Sequence, residues 1–183
     1  MSLTPKLQLT HMAIFVHDLD KMVDFYTRVI GLTISDRGSA MTAAVDMVFM
    51  SNNPGEHHQF VLASGRPDYA TFSVAQQISF LVDSLDDVRT MRDRVVAEGI
   101  EISRTATHGN AWSLYYNDPE GNRIENYTHT PWHIPQPHVH PLDLDMSNDE
   151  IMKMTEAHCR EDPGFMPVSE REKVLAKMIE AED

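Results

Sequence analysis

The run from Gln8 to Val16 is rich in β-branched and aromatic residues and predicts a strand. Asp18 then stands where a helix N-cap would. Leu19, Met22, Val23, Phe25 and Tyr26 recur at near-helical spacing, and Gly31 supplies a stop. Thr33–Asp36, Ala43–Met50 and His57–Ala63 follow as strands, divided by a Gly-Ser break and an Asn-Asn-Pro-Gly turn. The order of elements is β-α-β-β-β.

The same order recurs. Gln76–Val82 predicts a strand, Ser84 caps a helix that stops at Gly99, and Ile100–Ser103, Ala111–Asn117 and Asn122–Tyr127 predict strands. The stretch HMAIFVHDLDKM at 11–22 aligns with QISFLVDSLDDV at 77–88, an offset of 77 − 11 = 66 residues. A repeat of this length indicates a duplicated module rather than a solenoid. Modules of about 7–64 and 75–128 therefore make up a domain over 1–129. Beyond it, a Pro-rich stretch without periodicity opens an extension over 130–183, expected to cover an edge or a subunit contact. Two short helices are expected there, because Ser147 with Glu150 and Ser169 with Glu172 match capping-box spacing.

Composition narrows the function. The formal net charge of −13 over 183 residues disfavours nucleic acid and anionic membranes as partners. One cysteine, Cys159, cannot form an internal disulfide. No basic-then-apolar signal pattern opens the chain and no apolar run would span a bilayer, so the expectation is a cytoplasmic protein handling small molecules.

The closing turn and strand NDPEGNRIENY, together with the duplicated βαβββ unit, resembles the vicinal oxygen chelate superfamily of glyoxalases, bleomycin-resistance proteins and extradiol dioxygenases. The resemblance covers Leu7 to Tyr127 and implies an α+β fold: two paired βαβββ modules forming an open cup-shaped mixed sheet around one divalent metal. The positions it marks as ligands are His11, Gln77 and Glu125. Strand alternation puts His11 on one face with Ala13, and Gln77 with Ser79, while Ile124 and Asn126 face away from Glu125. Three ligands with positions left open is the pattern of a catalytic site. Aligning the turns of the two modules at an offset of 65 sets Phe60 opposite Glu125, so one metal is expected per pair of modules.

EHHQFVLAS resembles the HHxxL strand of type I extradiol dioxygenases, which implies His58 as acid–base catalyst. An apolar setting beside Phe60 and Leu62 would keep it neutral. In those dioxygenases a tyrosine ten positions before the glutamate, here Tyr115, and an upstream histidine, here His108, hold the substrate oxygens. Gln77 departs from the pattern, since the dioxygenases carry a second histidine there.

Three readings stay open. The first is ring cleavage of a catechol-type diol with O2 at Fe(II). The second is a glyoxalase-type isomerase or lyase using Zn, Ni or Mn as Lewis acid on an enediolate, which Gln77 favours. The third is a metal-free cup binding a small aromatic, lined by Phe15, Phe80, Trp112 and Tyr115. A homodimer is expected because sheet edges of such modules need covering.

Overall fold

The computed structural model describes residues 7–40 and 44–181. They form two compact units, one of 7–76 with 117–123 and one of 77–116 with 124–181.

In the first unit, β1 (Met12–Val16) leads into α1 (Leu19–Asp24), and β2 (Thr33–Ala40), β3 (Val45–Ser51) and β4 (Phe60–Ser64) follow. The sheet order is β1-β4-β3-β2, with β1 parallel to β4 and the other pairs antiparallel. Asp18 caps α1 as expected, its Oδ1 accepting from Lys21 N at 3.0 Å. The helix continues as a π-helical turn over Phe25–Val29. Its apolar residues Met22, Val23, Phe25, Tyr26 and Val29 are all buried. Gly31 takes φ +91°, a conformation that favours glycine, and ends it.

Three boundaries differ from the sequence reading. The Gly-Ser stretch does not break β2: Gly38 and Ser39 pair with Met47 and Asp46, so their backbone groups are satisfied inside the hairpin. The irregularity lies at Ser35 instead, between Ile34 and Asp36. The expected start of β3 at Ala43 lies outside the described residues. At the other strands the ladder ends early. β1 pairs only from Met12 and β4 only from Phe60, so His11, His57 and His58 precede their strands rather than belong to them.

The same unit holds the Asp-Pro-Glu-Gly-Asn turn. Asp118 Oδ1 accepts from Glu120 N at 2.9 Å and Asn122 N at 2.8 Å, and its Oδ2 accepts from the buried Tyr26 hydroxyl at 3.0 Å. Glu120 accepts from the backbone N–H groups of His17 and Asp18 at 2.7 and 2.9 Å and pairs with Arg66 at 3.3 Å. The turn motif thus does structural work.

The second unit repeats the plan. β5 (Ile78–Leu81), α2 (Leu85–Ala97), β6 (Ile102–Thr107), β7 (Ala111–Asn117) and β8 (Arg123–His129) give the order β5-β8-β7-β6, again with the first and last strands parallel. Ser84 caps α2, and Gly99 follows it at φ +70°. β6 begins two residues later and runs four residues further than expected, because its ladder with β7 extends to Thr107↔Trp112. Register corrects one alignment. Ser79 pairs with Glu125 as Ala13 pairs with Val61, so the first-module counterpart of Glu125 is Val61, not Phe60. The position still carries no carboxylate.

The extension continues as β9 (Trp132–His133), β10 (His140–Pro141), α3 (Asn148–Arg160), β11 (Met166–Pro167) and α4 (Val168–Ala181). β10 covers the open edge of β6, with His140 opposite Thr107. The Ser147–Glu150 capping box is present. The Ser169 box is not: α4 begins at Val168, whose N–H donates to Pro131 O at 2.9 Å, so Ser169 falls inside the helix. Among the described residues no helix is long and apolar enough to cross a membrane.

Candidate active site

In the second unit the expected residues converge on Glu125. It sits inside β8, only 6 % exposed. A buried carboxylate needs hydrogen-bond donors to offset lost hydration. It receives three. Gln77 Nε2 donates at 2.6 Å and Ser79 Oγ at 2.5 Å to Oε2, while the Tyr115 hydroxyl donates to Oε1 at 2.5 Å. Strand geometry explains the convergence. Ser79 lies directly opposite Glu125 in the parallel pair, and Gln77 is two residues before it on the same face. Tyr115 comes from β7, the other neighbour of β8.

Behind Tyr115 stands His108, whose Nε2 is 2.7 Å from the phenol oxygen. Its Nδ1 lies 2.9 Å from the His138 carbonyl oxygen. A carbonyl only accepts, so Nδ1 carries a proton. The phenol has one proton for two contacts, one to His108 and one to Glu125. A second proton must therefore reside on His108 Nε2 or on Glu125 for both bonds to exist. Burial, then the Glu125 carboxylate, pushes the Tyr115 phenol up to about 12, so it stays protonated at neutral pH. The Arg104 guanidinium stacks 4.6 Å from the Tyr115 ring centre.

In the first unit His11, His57 and His58 form a second group. The His11 and His58 rings meet edge to face at 4.4 Å, and the Nδ1 atoms of His57 and His58 are 2.9 Å apart. His58 also packs on Phe49 at 5.2 Å. Burial, then the neighbouring His11 and His57 rings, holds His58 below the ordinary histidine range. The neutral form expected from sequence is thus favoured, and the aromatic ring it packs on is Phe49 of β3.

One expected grouping fails. Trp112 alternates to the face opposite Tyr115 and donates its Nε1–H to Thr155 of α3 at 2.9 Å. It does not line a pocket with Tyr115. Ser79, read from sequence only as a small neighbour, is a direct partner of Glu125; its direct cross-strand register was the missing signal.

The residues suit a divalent ion in kind. Three donated hydrogen bonds leave the two Glu125 oxygens one of about four lone-pair positions free. Gln77 turns its nitrogen to the carboxylate and keeps an amide oxygen for another partner. Two oxygen donors of this type match hard or borderline divalent ions. Among the described residues no three His, Cys, Asp or Glu side chains gather as a metal cluster.

Comparison with known proteins bears on the family and the fold. Residues 8–126 match the family model of the Glyoxalase/Bleomycin resistance protein/Dioxygenase superfamily. The chain is 30 % identical over 134 residues to biphenyl-2,3-diol 1,2-dioxygenase 3 of Rhodococcus globerulus, covering 68 % of this chain and 64 % of that protein. It is 33 % identical over 133 residues to biphenyl-2,3-diol 1,2-dioxygenase of Metapseudomonas furukawaii, covering 67 % and 41 %. The chain thus spans less than two thirds of the length of these relatives. Among solved structures, a glyoxylase/bleomycin resistance protein/dioxygenase domain from Frankia sp. EAN1pec superposes with a TM-score of 0.56 at 22 % identity, covering 70 % of this chain and all of that one. The fosfomycin resistance protein FosX of Listeria monocytogenes, complexed with Mn(II) and sulfate, gives 0.51 at 18 % identity, covering 71 % and 95 %.

Proposed function

We propose a function from one premise: the chain belongs to the glyoxalase/bleomycin resistance protein/dioxygenase superfamily. Our reading is an extradiol-dioxygenase-like metalloprotein that opens the ring of a catechol-type vicinal diol with O2. The observation that carries it is the Tyr115 hydroxyl placed between His108 and the buried Glu125. The names of the two dioxygenase relatives support the substrate class.

In this reading Gln77 and Glu125, which meet in the second unit, hold the divalent ion, with Fe(II) first and Zn, Ni or Mn as alternatives. When bound, such an ion supplies Lewis-acid polarisation and, for iron, electron transfer toward O2. The chain's own residues do the rest. Tyr115, protonated at neutral pH, donates to an oxygen of the diol. His58, held neutral, is in the form that accepts a proton in acid–base catalysis. His108 orients the phenol. The substrate is a small molecule, and a homodimer remains part of the proposal.

Gln77 favours a second reading. An amide oxygen in place of an imidazole suits Lewis-acid chemistry on an enediolate by a glyoxalase-type enzyme. Anaerobic loading with Fe(II) or Mn(II), desalting and elemental analysis tests both, alongside Glu125→Ala and Gln77→His, with 2,3-dihydroxybiphenyl turnover followed optically. Near-stoichiometric iron lost in Glu125→Ala, with ring-cleavage product formed, supports the first reading. Retained manganese without ring cleavage favours the second. No retained metal in any variant overturns both and leaves a metal-free binding protein.

A further inference from the structure

The superfamily match ends at residue 126, yet the chain continues into a segment pressed against the loop that carries His108. Every residue of that loop is held by it. Thr130 N donates to Asn110 O at 3.1 Å, and Thr130 Oγ1 donates to Gly109 O at 2.5 Å. Gln136 Nε2 donates to His108 O at 2.8 Å, and His108 Nδ1 donates to His138 O at 2.9 Å. Gly109, at φ +75°, has no room for a side chain: a Cβ there would stand 2.4 Å from Ile134 Cγ2 and 3.0 Å from Cys159 Sγ.

We propose that the C-terminal extension is a working part of the Glu125 site, in which Gln136 is a positioning residue that keeps the His108 Nδ1–H on the His138 carbonyl and so holds Nε2 turned to Tyr115. The inference rests on the reading of His108 and Tyr115 given above. The physical argument is short. An imidazole nitrogen that faces an acceptor must carry a proton, so the partner of Nδ1 decides how the ring is turned and leaves Nε2 to the phenol. Here the partner is a backbone carbonyl, which only accepts. Gln136 sets that carbonyl in place, because its amide bridges the two strands of the contact. Its Nε2 donates to His108 O, while its Oε1 accepts from His138 N at 3.1 Å. The extension thereby fixes which nitrogen addresses the phenol, and through it the carboxylate.

The test is long-range 1H–15N imidazole NMR on the full chain labelled at histidine, with His108→Gln to assign the signals. Wild type is expected to show a protonated Nδ1 on His108 throughout pH 6 to 8. Gln136→Ala is expected to give mixed or exchange-broadened His108 signals. Gln136→Glu keeps the shape and the acceptor but loses the donor, and is expected to shift the same signals in the same direction. A bare Nδ1 in wild type overturns the proposal, as do unchanged His108 signals in both variants. The measurement uses neither metal nor substrate. Failure of metal loading therefore sinks the proposed function and leaves this inference intact, while a wrong tautomer does the reverse.

Discussion

Replacing Tyr115 by phenylalanine removes one hydroxyl and two hydrogen bonds from a site that water scarcely reaches. Tyr115 is 3 % exposed and Glu125 6 %. The ring, its packing and the stacked Arg104 stay. The lost bond to the carboxylate is charge-assisted, and bonds of that kind contribute about 1.5–3 kcal/mol each. His108 Nε2 also loses its partner, though it is only half-buried, which adds up to about 1 kcal/mol. Gln77 and Ser79 still serve Oε2, so Glu125 is not stranded. The sum is a destabilisation of roughly 1.5–4 kcal/mol, or a melting-temperature drop of about 3–16 °C for a chain of this size. Glu125→Ala, which removes the acceptor, and the double variant complete a cycle, read by urea unfolding at pH 7. The coupling should reach about 1.5–3 kcal/mol, because the two groups touch. A coupling near zero would refute the claim that this pair is a mutual hydrogen bond in the folded protein.

Three further outcomes follow from the geometry. Arg66→Ala should cost about 3–5 kcal/mol by calorimetry, since it leaves Glu120 buried without its cation; Arg66 and Glu120 side chains are only 8 % and 7 % exposed. Ser147→Ala should lower stability by about 0.5–2 kcal/mol through loss of the α3 capping box, and Ser169→Ala should change it far less because Ser169 caps nothing. The pH dependence has a definite sign. His58, His133 and His138 are held below the ordinary histidine range, chiefly by burial, so the unfolded chain takes up protons first and stability falls as pH drops through about 6.5. At the alkaline end Tyr115, raised to about 12, keeps its proton after the unfolded phenol loses it near 10, so stability falls again as pH climbs past 10. Denaturant midpoints at pH 5, 7.5 and 10.5 would show all of this, and a midpoint rising toward pH 5 would contradict it.

Much of the architecture was legible in residue order. The two β-α-β-β-β patterns, the caps at Asp18 and Ser84, the stops at Gly31 and Gly99 and the strand Ala111–Asn117 all come from periodicity and local backbone preference, which act over a few residues. The residues gathered around Glu125 were legible too, because strand alternation and family spacing mark Gln77, Tyr115 and His108.

Other features belong to tertiary structure alone. Whether His11 or His58 lies within a strand depends on where a ladder with a distant segment ends, and no local preference encodes that. Gly38 sits in a strand against its propensity because β3 pairs with it. Ser79 meets Glu125 through parallel register across 46 residues, and Val61 rather than Phe60 matches that position for the same reason. The grip of Gln136 and the His138 carbonyl on His108 joins segments about 30 residues apart through polar groups without sequence period. Sequence therefore determined which elements form and which side chains could do chemistry. Only long-range pairing decided which of those side chains touch, because hydrogen-bond partners and register are set by whole strands meeting in space.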